Sequence, residues 1–509
     1  MSRAKAAFLG SISSQVFMIV NMLLGIVLTP LILKFLNKEE FGLSTVIFQL
    51  VGYINMLDFG LGNAMSRQLA AHRGDDEESK MMVNRIMSTC FFTYSVIGAF
   101  VILAGVSFSL FMPDFFHTQG NLSEVAIYIT LSLSISVGIQ FPLQAFFGIY
   151  YAHQRQMLSN SVGFVVTFLN TILPVVFLYF NHGLWSFVYT NIFCSLVGIS
   201  TIIFLNKKYY PYMKIRLGFF DKPMLTSMFH YGFFLFLNGI AYQIVMFTDR
   251  FFIGSLVSLS AVTLFSLTAK APEFGRELIF RITGNAFPAL VEINSREGEN
   301  KLKDVHQKLL LVTACSFTIA FWLILILNFW FLKLWVGEEF FAGQFVALLA
   351  LALMIQHTLI RVSAVCLMGA GIVKGFSLVS LIEAGINIAL TLWLGKLMGI
   401  AGILLATIIA GACTGLWYVP YTAMKFMNIR LVEYLKTIFF PASCISALGG
   451  ILYMVATYLF KSIDLNWLNF SIIAFLVGLL LAAFTWIFFL RKEFSHYVPV
   501  QFKKYLLVS

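Results

Sequence analysis

The amino-acid sequence predicts an all-α, polytopic membrane protein with about fourteen transmembrane helices, in two pseudo-symmetric six-helix lobes followed by two C-terminal helices. Three observations support this fold class. The 509 residues are 60% hydrophobic and 11% charged, with a mean hydropathy of +0.88, whereas soluble domains carry roughly 25% charged residues. The long apolar runs lack the alternation of barrel strands. Basic residues cluster on every second connection between these runs.

Each predicted helix depends on the length of its apolar run. A bilayer core about 30 Å thick requires about 20 helical residues per crossing. The first run is too long for the apolar region of a signal peptide and has no small-residue cleavage site, so we expect a retained span. The predicted spans are 11–34, 41–66, 86–111, 125–150, 157–180, 184–205, 230–254, 261–290, 309–330, 341–368, 376–394, 400–424, 437–459 and 468–490.

The distribution of Lys and Arg predicts the orientation, because basic residues are in excess on the cytoplasmic side of membrane proteins. With the N-terminus placed in the cytoplasm, 24 of the 34 Lys and Arg fall on the cytoplasmic connections and tails. Five fall on external connections and five within spans. Both termini are therefore predicted to be cytoplasmic. This topology accounts for the formal net charge of +11, so no nucleic-acid partner is expected.

An internal repeat predicts how the spans are grouped. The end of span two reads GNAMSRQLAAHRGDD from Gly62, and the end of span eight reads GNAFPALVEINSREG from Gly284, 222 residues later. Because six spans separate the copies, both have the same orientation, as in a parallel repeat. The predicted parts are an N-terminal six-helix lobe at 1–205, a cytoplasmic linker at 206–229, a C-terminal six-helix lobe at 230–430, and two extra helices with a cytoplasmic tail at 431–509.

Ionisable residues inside the spans are the candidate functional residues, because such groups are costly in hydrocarbon and mark substrate or ion pathways. Four of them, Lys270, Glu273, Glu277 and Arg281, form a charged stripe about 16 Å long on one face of span eight, with Arg276 about 60° beyond it. The in-span residues are Asp58 in span two, Asp249 and Arg250 in span seven, Lys270, Glu273, Arg276, Glu277 and Arg281 in span eight, His357 and Arg361 in span ten, and Glu383 in span eleven.

The charged stripe in span eight allows two interpretations. Oppositely charged residues three and four apart could neutralise one another, and these pairs are Glu273 with Arg276 and Glu277 with Arg281. Paired charges are still costly in a dry helix interface, so we favour a hydrated cavity. Pro272 is expected to loosen the external half of this helix, because an interior proline removes a backbone hydrogen bond.

The sequence offers no pattern typical of a catalytic or metal site. It contains no paired DxD, Ser/His/Asp arrangement or HExxH motif, which would carry such chemistry. Its six cysteines sit singly within apolar runs, which favours packing roles over disulfides or zinc ligands. We therefore expect no enzyme activity, no metal and no cofactor. His357 is expected to be a hydrogen-bonded packing residue rather than a proton relay.

Two N-terminal segments carry a resemblance to a known family. They are TPLILKFLNKEEFGL, from Thr29 to Leu43, and the span-two ending LDFGLGNAMSRQLA, from Leu57 to Ala70. With fourteen spans in two lobes, the chain resembles the lipid-linked oligosaccharide flippases. These are the O-antigen and capsule repeat-unit exporters of the polysaccharide transport family, within the multidrug/oligosaccharidyl-lipid/polysaccharide exporter superfamily. The architectural resemblance covers essentially the whole chain, and the specific motif is confined to its first 75 residues.

The resemblance implies a function in surface polysaccharide biosynthesis. It implies a flippase that moves undecaprenyl-pyrophosphate-linked oligosaccharide repeat units from the inner to the outer leaflet of the bacterial cytoplasmic membrane by alternating access. A polysaccharide polymerase and a chain-length regulator are the implied protein partners, and H⁺ or Na⁺ is the implied coupling ion. The lipid bilayer and the undecaprenyl-pyrophosphate-linked oligosaccharide are the other expected partners.

On this interpretation the in-span charges have two expected roles. The cations would line the cavity that receives the pyrophosphate, because the planar arginine side chain binds phosphate oxygens through two donors. This expected lining comprises Arg250, Lys270, Arg276, Arg281 and Arg361. The candidates for binding a coupling proton or Na⁺ are Asp58, Asp249, Glu273, Glu277 and Glu383.

Three other functional classes are compatible with parts of the sequence. A cation-coupled multidrug exporter would share two six-span lobes, but such proteins usually lack the last two spans and favour an acidic cavity. A lipid II flippase would share fourteen spans. A membrane polysaccharide polymerase or ligase typically needs a sizeable external loop, whereas the longest external connection here, near 113–124, has about a dozen residues.

Overall fold

The computed structural model describes residues 20, 21, 23–58, 60–72, 76–152 and 155–494, and in this part of the chain it contains helices and no β-strand. Ten helices in the described part are long and apolar enough to cross a membrane. They match ten of the fourteen predicted spans, namely three to six and nine to fourteen. The all-α polytopic membrane fold is therefore confirmed.

The helices follow one another along the chain with short connections. They are α1 (Leu23–Phe35), α2 (Lys38–Asn55), α3 (Leu61–Ala71), α4 (Glu77–Phe115), α5 (Asn121–Gln140), α6 (Gln144–Ala152), α7 (Gln156–Tyr179), α8 (Trp185–Tyr209), α9 (Lys222–Leu256), α10 (Leu259–Thr268), α11 (Lys270–Arg296), α12 (Glu299–Trp335), α13 (Gln344–Gly369), α14 (Lys374–Met398), α15 (Ile400–Cys413), α16 (Gly415–Phe426), α17 (Leu431–Ser462), α18 (Trp467–Thr485) and α19 (Arg491–Phe494).

The other four predicted spans are one, two, seven and eight. Span one is represented by α1, while its residues 11–19 and 22 lie outside the described part. A 3₁₀ turn at Met56–Asp58 divides span two into α2 and α3. Span seven lies within the long helix α9, and span eight is divided into α10 and α11. The two divided spans are each the second span of a predicted six-span half.

Several helices begin at a residue that caps their first turn, as expected for exposed helix N-termini. At the start of α2, Asn37 and Glu40 each accept the other's backbone N–H at 2.9 Å, which is a capping box. Asp76 accepts the Ser79 N–H at 2.9 Å at the start of α4, and these hydrogen bonds hold the pKa of the Asp76 carboxyl below its usual value. Asp221 begins α9 in the same way.

The packing divides the chain into two compact units, Met1–Thr263 and Leu264–Ser509. The division falls within α10, so α9 belongs to the first unit. The four-part division at 1–205, 206–229, 230–430 and 431–509 stays a prediction about the repeat.

In the first unit, small residues let α4 and α5 approach closely. A Cβ added to Gly98 would lie 2.3 Å from the carbonyl oxygen of Gly138, so the two backbones are in direct contact there, as is common between membrane helices. Residues between α8 and α9 lie against α4, because Lys214 N–H donates to Asn84 Oδ1 at 2.8 Å and Asp221 N–H donates to Thr89 Oγ1 at 3.0 Å.

In the second unit, α11, α12 and α13 pack against one another, and α14 to α16 pack beside α13. The last long helices, α17 and α18, pack on α12. Their outer faces carry large exposed apolar side chains, such as Val432, Met454 and Leu468. Apolar surface of this extent marks contact with a membrane, so these faces are suited to lipid.

Candidate functional site

The charged stripe predicted in span eight lies on α11, which begins at Lys270. Lys270 is exposed, Glu273, Glu277 and Arg281 are partly exposed, and Arg276 is 8% exposed. Arg276 therefore points into the second unit, whereas the rest of the stripe lies at its surface. This difference selects Arg276 as the cation held most firmly by the fold.

A break in the helix separates α10 from α11 at Ala269. Pro272 has no N–H to give to the carbonyl of Thr268 four residues earlier. Two neighbours bond to Thr268 instead: Asn328 Nδ2 donates to its carbonyl oxygen at 2.9 Å, and Ala342 N–H donates to its Oγ1 at 2.8 Å. The helix is interrupted close to Pro272, but hydrogen bonds hold the polar groups at the break, so the predicted loosening is limited to this interruption.

Two of the predicted cations meet on one aromatic ring. The Cζ of Arg276 on α11 lies 6.0 Å from the centroid of the Phe280 ring, and the Cζ of Arg361 on α13 lies 5.6 Å from the same centroid. Both distances are within the range of a cation–π interaction. The packing of α11 against α13 therefore brings two guanidinium groups to the same ring despite their like charge.

Hydrogen-bond donors of this arginine pair remain available. The Nε atoms of Arg276 and Arg361 are buried and have no acceptor within the described residues. Arg276 Nη2 forms an ion pair with Oε1 of the adjacent Glu277 at 3.6 Å, a distance longer than a good hydrogen bond. Buried donors of this kind are normally satisfied, so the pair is suited to a ligand rich in acceptor oxygens.

His357 lies one turn before Arg361 on α13 and is 4% exposed. Its burial agrees with a packing residue, but the expected hydrogen bonds are absent: neither ring nitrogen has a partner among the residues that the structure describes. The prediction of a hydrogen-bonded histidine is wrong on this point. The charged group that acts on the ring is the guanidinium of Arg276, which is near His357 but does not form a hydrogen bond with it.

A second polar cluster surrounds Glu383 on α14, which is 6% exposed. Its carboxyl group hydrogen-bonds to the Thr414 side chain and to the backbone N–H of Gly415, the first residue of α16. A Cβ on Gly415 would lie 2.7 Å from Glu383 Oε2, so this approach requires glycine. A carboxylate is stabilised at a helix N-terminus, and Glu383 occupies that position at the break between α15 and α16.

Amide and hydroxyl groups extend the cluster around Glu383. Asn387, one turn further along α14, donates to Thr407 Oγ1 at 2.8 Å, and Gln356 on α13 donates to the Thr407 carbonyl oxygen at 3.4 Å. All three residues are buried. The sequence analysis did not select them, although the spacing of Glu383 and Asn387 places both on one helix face.

Asp58 forms the corresponding arrangement in the first unit. Its carboxylate accepts the Gly62 N–H at 3.2 Å, near the start of α3, and the Tyr94 hydroxyl from α4. The intervening Gly60 has φ +72°, a conformation that favours glycine. Asp58 therefore closes the break in span two, which is a structural role, and Tyr94 is a partner that the sequence analysis did not identify.

The remaining two predicted residues, Asp249 and Arg250, lie on α9 and are partly buried. They belong to the first unit, whereas Lys270, Arg276, Arg281 and Arg361 belong to the second. Within the second unit the structure brings Arg276 and Arg361 together. It places Glu383 in a separate cluster with its own partners.

Comparison with known proteins identifies the family. Residues 9–294 match the family model described as polysaccharide biosynthesis protein. A Shigella flexneri protein named as an O-antigen transporter is 24% identical over 316 residues, which are 61% of this chain and 72% of that protein. A Yersinia pseudotuberculosis protein named as an O-antigen export protein is 21% identical over 416 residues, 77% of this chain and 90% of that protein.

Solved structures share the fold. The structure of the lipid II flippase MurJ in an inward closed conformation matches with a TM-score of 0.65 at 17% sequence identity. The match covers 93% of this chain and 99% of the MurJ chain. An inward-facing multidrug resistance transporter of the MATE family matches with a TM-score of 0.61 at 14% sequence identity. The match covers 80% of this chain and 95% of the transporter chain. Since the family model matches more than half of the sequence, the chain belongs to the polysaccharide biosynthesis protein family, and its resemblance to the lipid-linked oligosaccharide exporters is confirmed.

Proposed function

We propose that the protein is a flippase for undecaprenyl-pyrophosphate-linked oligosaccharide repeat units. It moves them from the inner to the outer leaflet of the bacterial cytoplasmic membrane, for the synthesis of O-antigen, capsule or exopolysaccharide. The family, the names of the two relatives and the flippase-type fold support this proposal. Both termini lie in the cytoplasm, and a polysaccharide polymerase and a chain-length regulator act on the delivered units. No covalent bond of the substrate changes, so the protein is not an enzyme.

The observation that carries the proposal is the pair Arg276 and Arg361 on the ring of Phe280. Moving an unshielded pyrophosphate through hydrocarbon would cost on the order of tens of kcal/mol. Two guanidinium groups with buried, available Nε donors can replace part of the hydration of the phosphates, because charge-assisted hydrogen bonds from arginine are strong. Lys270 and Arg281, on the same helix as Arg276, extend this cationic lining within the second unit. Arg250, on α9 of the first unit, is a further proposed substrate-binding residue.

Translocation proceeds by alternating access, in which the polar path is open to one side of the membrane at a time. The cationic lining binds the pyrophosphate in the state open to the cytoplasm and releases it in the state open to the exterior. The polyprenyl tail stays in lipid throughout. The energy requirement is therefore limited to the head group, which the protein shields.

Glu383 is the strongest candidate for the coupling ion, and the proposal is that it binds a proton. Its carboxyl group is buried and is held by the Thr414 side chain and the Gly415 N–H. A carboxyl group fixed in this way inside the second unit can gain and lose a proton. The other coupling candidates are Asp58, Asp249, Glu273 and Glu277, of which Asp58 has the structural role described above.

The proposed binding role is tested by Arg276→Gln. Loss of a charge-assisted hydrogen bond costs about 1.5–3 kcal/mol, so we expect binding of pyrophosphate-linked substrate to fall roughly tenfold to a hundredfold. In cells, lipid-linked repeat units should accumulate on the cytoplasmic side and surface polysaccharide should decrease. Arg296→Gln is the matched control, because Arg296 lies on the same helix, 75% exposed and paired with Glu292 at 2.6 Å. Normal surface polysaccharide at normal expression of R276Q would exclude this role.

The proposed coupling role is tested by Glu383→Gln, which keeps the shape of the side chain but cannot exchange a proton. We expect transport in membrane vesicles to lose its dependence on a proton gradient, whereas binding of pyrophosphate stays within about twofold, since the fold of the cluster is retained. Transport that still follows the proton gradient in this variant assigns coupling to another residue.

A lipid II flippase is the second candidate, because the MurJ structure matches nearly the full length of both chains. Its substrate also carries a pyrophosphate, so the arginine pair suits both functions. Rescue of cells depleted of their lipid II flippase separates them: the proposed function predicts no rescue. The multidrug exporter is separated by growth in drug dilution series, where the proposed function predicts no change in tolerance.

A further inference from the structure

The first unit contains a cavity of about 700 Å³ on the side predicted to be external. It is formed where four helix connections meet, α1–α2, α4–α5, α7–α8 and α9–α10. Its volume is within the range of about 300–1,000 Å³ that is typical of small-molecule sites. The cavity is therefore large enough for one or two sugar rings.

The side chains around this cavity are polar and carry no fixed positive charge, since neither Lys nor Arg is among its lining residues. Its ionisable groups are two glutamates and two histidines. Glu40 is already engaged in the capping box with Asn37. The groups that can face a ligand are therefore Glu39, His117 and His182, together with the Asn181 amide. Such groups hydrogen-bond to hydroxyls, and the carboxylate repels phosphate.

One wall of the cavity is aromatic. Trp185 packs against Tyr128 with ring centroids 5.1 Å apart and against Tyr189 at 6.3 Å, and His182 contacts the Tyr189 ring edge-on at 5.5 Å. Trp185 is half-buried and lines the cavity. A tryptophan supplies a flat apolar face and one polar N–H, so it can cover the apolar face of a sugar ring while the polar groups bind its hydroxyls.

Two residues at the rim have an uncommon backbone conformation. His117 has φ +52° and Asn181 has φ +62°, and only one other non-glycine residue in the described part of the chain, Asn428, has positive φ. Asn is common at this position after a helix, so Asn181 needs no special explanation. A positive φ costs more conformational energy for histidine than for asparagine. Backbone strain of this kind is concentrated at functional sites.

The wall formed by α2 and α10 is fixed by close packing. A Cβ on Gly42 would lie 1.9 Å from the carbonyl oxygen of Leu259, which itself lines the cavity. Thr263 Oγ1 donates to the Lys38 carbonyl oxygen at 2.6 Å. The shape of the cavity therefore depends on backbone contacts, and a ligand meets a preformed site.

We propose that this cavity binds the sugar part of the substrate on the external side, and that it selects neutral and N-acetylated sugars over uronic acids. This inference rests on the proposed function for its biological meaning, but the binding chemistry is independent of it. Carboxylates, imidazoles and an amide accept and donate hydrogen bonds to sugar hydroxyls, while Glu39 and Glu40 disfavour an anionic sugar.

Binding of sugars without a lipid or a pyrophosphate tests the inference directly. The purified full-length protein in nanodiscs is titrated with a panel of neutral and N-acetylated disaccharides, with glucuronic acid and with inorganic pyrophosphate. Saturation-transfer NMR reports binding. We expect at least one neutral disaccharide to bind at millimolar concentration, glucuronic acid to bind at least tenfold more weakly, and pyrophosphate not to compete.

The double variant Glu39→Gln with His182→Ala should weaken disaccharide binding at least tenfold. Glu39→Gln alone, a change at an exposed side chain that retains the fold, should weaken it about threefold. The matched control is Asp114→Asn, because Asp114 is an exposed carboxylate on the same predicted face that does not line the cavity. The inference is overturned if no disaccharide binds, or if the double variant binds as tightly as the unaltered protein.

The same assay separates this inference from the proposed function. Arg276→Gln should leave disaccharide binding within twofold while it weakens binding of pyrophosphate. If R276Q exports polysaccharide normally, the proposed function fails. The sugar titration then still tests whether the cavity binds sugars. If export fails in R276Q but the double variant keeps its sugar affinity, the proposed function stands and the cavity assignment is overturned.

Discussion

The arginine pair of the second unit and the cavity of the first unit have opposite chemistries. The pair presents two guanidinium groups on Phe280, buried within the spans. The cavity presents carboxylates, imidazoles and an amide at the ends of helices, with no Lys or Arg in its lining. A lipid-linked oligosaccharide is likewise an anion at one end and a polyol at the other. Each unit therefore offers chemistry suited to one end of the proposed substrate.

The difference also concerns how each region is held. The arginine pair is positioned by side chains on two packed helices, α11 and α13, and both guanidinium groups contact the ring of Phe280. The cavity is positioned by backbone contacts between helix ends. Substitutions at the arginine pair should therefore change affinity more sharply than substitutions at the rim of the cavity, where several groups share the ligand.

The largest effect is expected from Arg361→Glu, which places a negative charge where the proposed pyrophosphate binds. Removal of one cation and addition of a repulsive anion should weaken pyrophosphate binding more than about a hundredfold, since each charged hydrogen bond contributes about 1.5–3 kcal/mol. Binding of neutral disaccharides should stay within twofold, measured on the same nanodisc preparation. Arg361→Lys, which keeps the charge and loses the planar fork, should lose about tenfold. If R361E weakens the binding of pyrophosphate and of neutral disaccharides equally, the two regions do not differ in the ligand that they bind.

An intermediate effect is expected from Phe280→Leu. The variant removes the ring that both guanidinium groups contact, and each cation–π interaction contributes about 0.5–2 kcal/mol. Pyrophosphate affinity should therefore fall roughly threefold to thirtyfold by isothermal titration calorimetry. Phe287→Leu on the same helix, 37% exposed, is the control and should have no effect. If both variants behave alike, the shared ring does not organise the arginine pair.

The smallest effect is expected from His117→Asn at the rim of the cavity. Asparagine adopts positive φ more readily than most residues, so the free energy of unfolding should rise by less than about 1 kcal/mol. The midpoint of thermal unfolding should therefore increase slightly, while disaccharide affinity falls about threefold because the imidazole is lost. A variant that gains stability and keeps full sugar affinity would show that His117 does not bind the ligand.

The sequence predicted the helices well because span length is set by the bilayer, which acts on each segment separately. Ten predicted spans have the required apolar helices, and spans two and eight are each divided into two helices. Local chemistry also predicted the break near Pro272. The structure added that Asn328 and Ala342 satisfy Thr268 there, which depends on packing and has no signal along the chain.

The candidate residues were predictable as a set, but their grouping was not. In-span charge selected Arg276 and Arg361 separately, whereas their meeting on Phe280 depends on how α11 turns against α13. In-span charge also selected Asp58, whereas its hydrogen bonds with Tyr94 and Gly62 depend on how α3 and α4 pack. The cavity of the first unit escaped the sequence analysis because ordinary polar residues from four separate connections form it, and none of them has a diagnostic spacing.

The break at Thr268 has a mechanical consequence. Because Asn328 and Ala342 bond to Thr268, the segment before the break is fastened to α12 and to the residues preceding α13. The bend is therefore held in place by hydrogen bonds to its neighbours and is not a flexible hinge. A movement that tilts the end of α10 must carry those neighbours with it or exchange their two hydrogen bonds for water. Arg276 on α11, about two turns after Thr268, would then move together with these neighbouring helices.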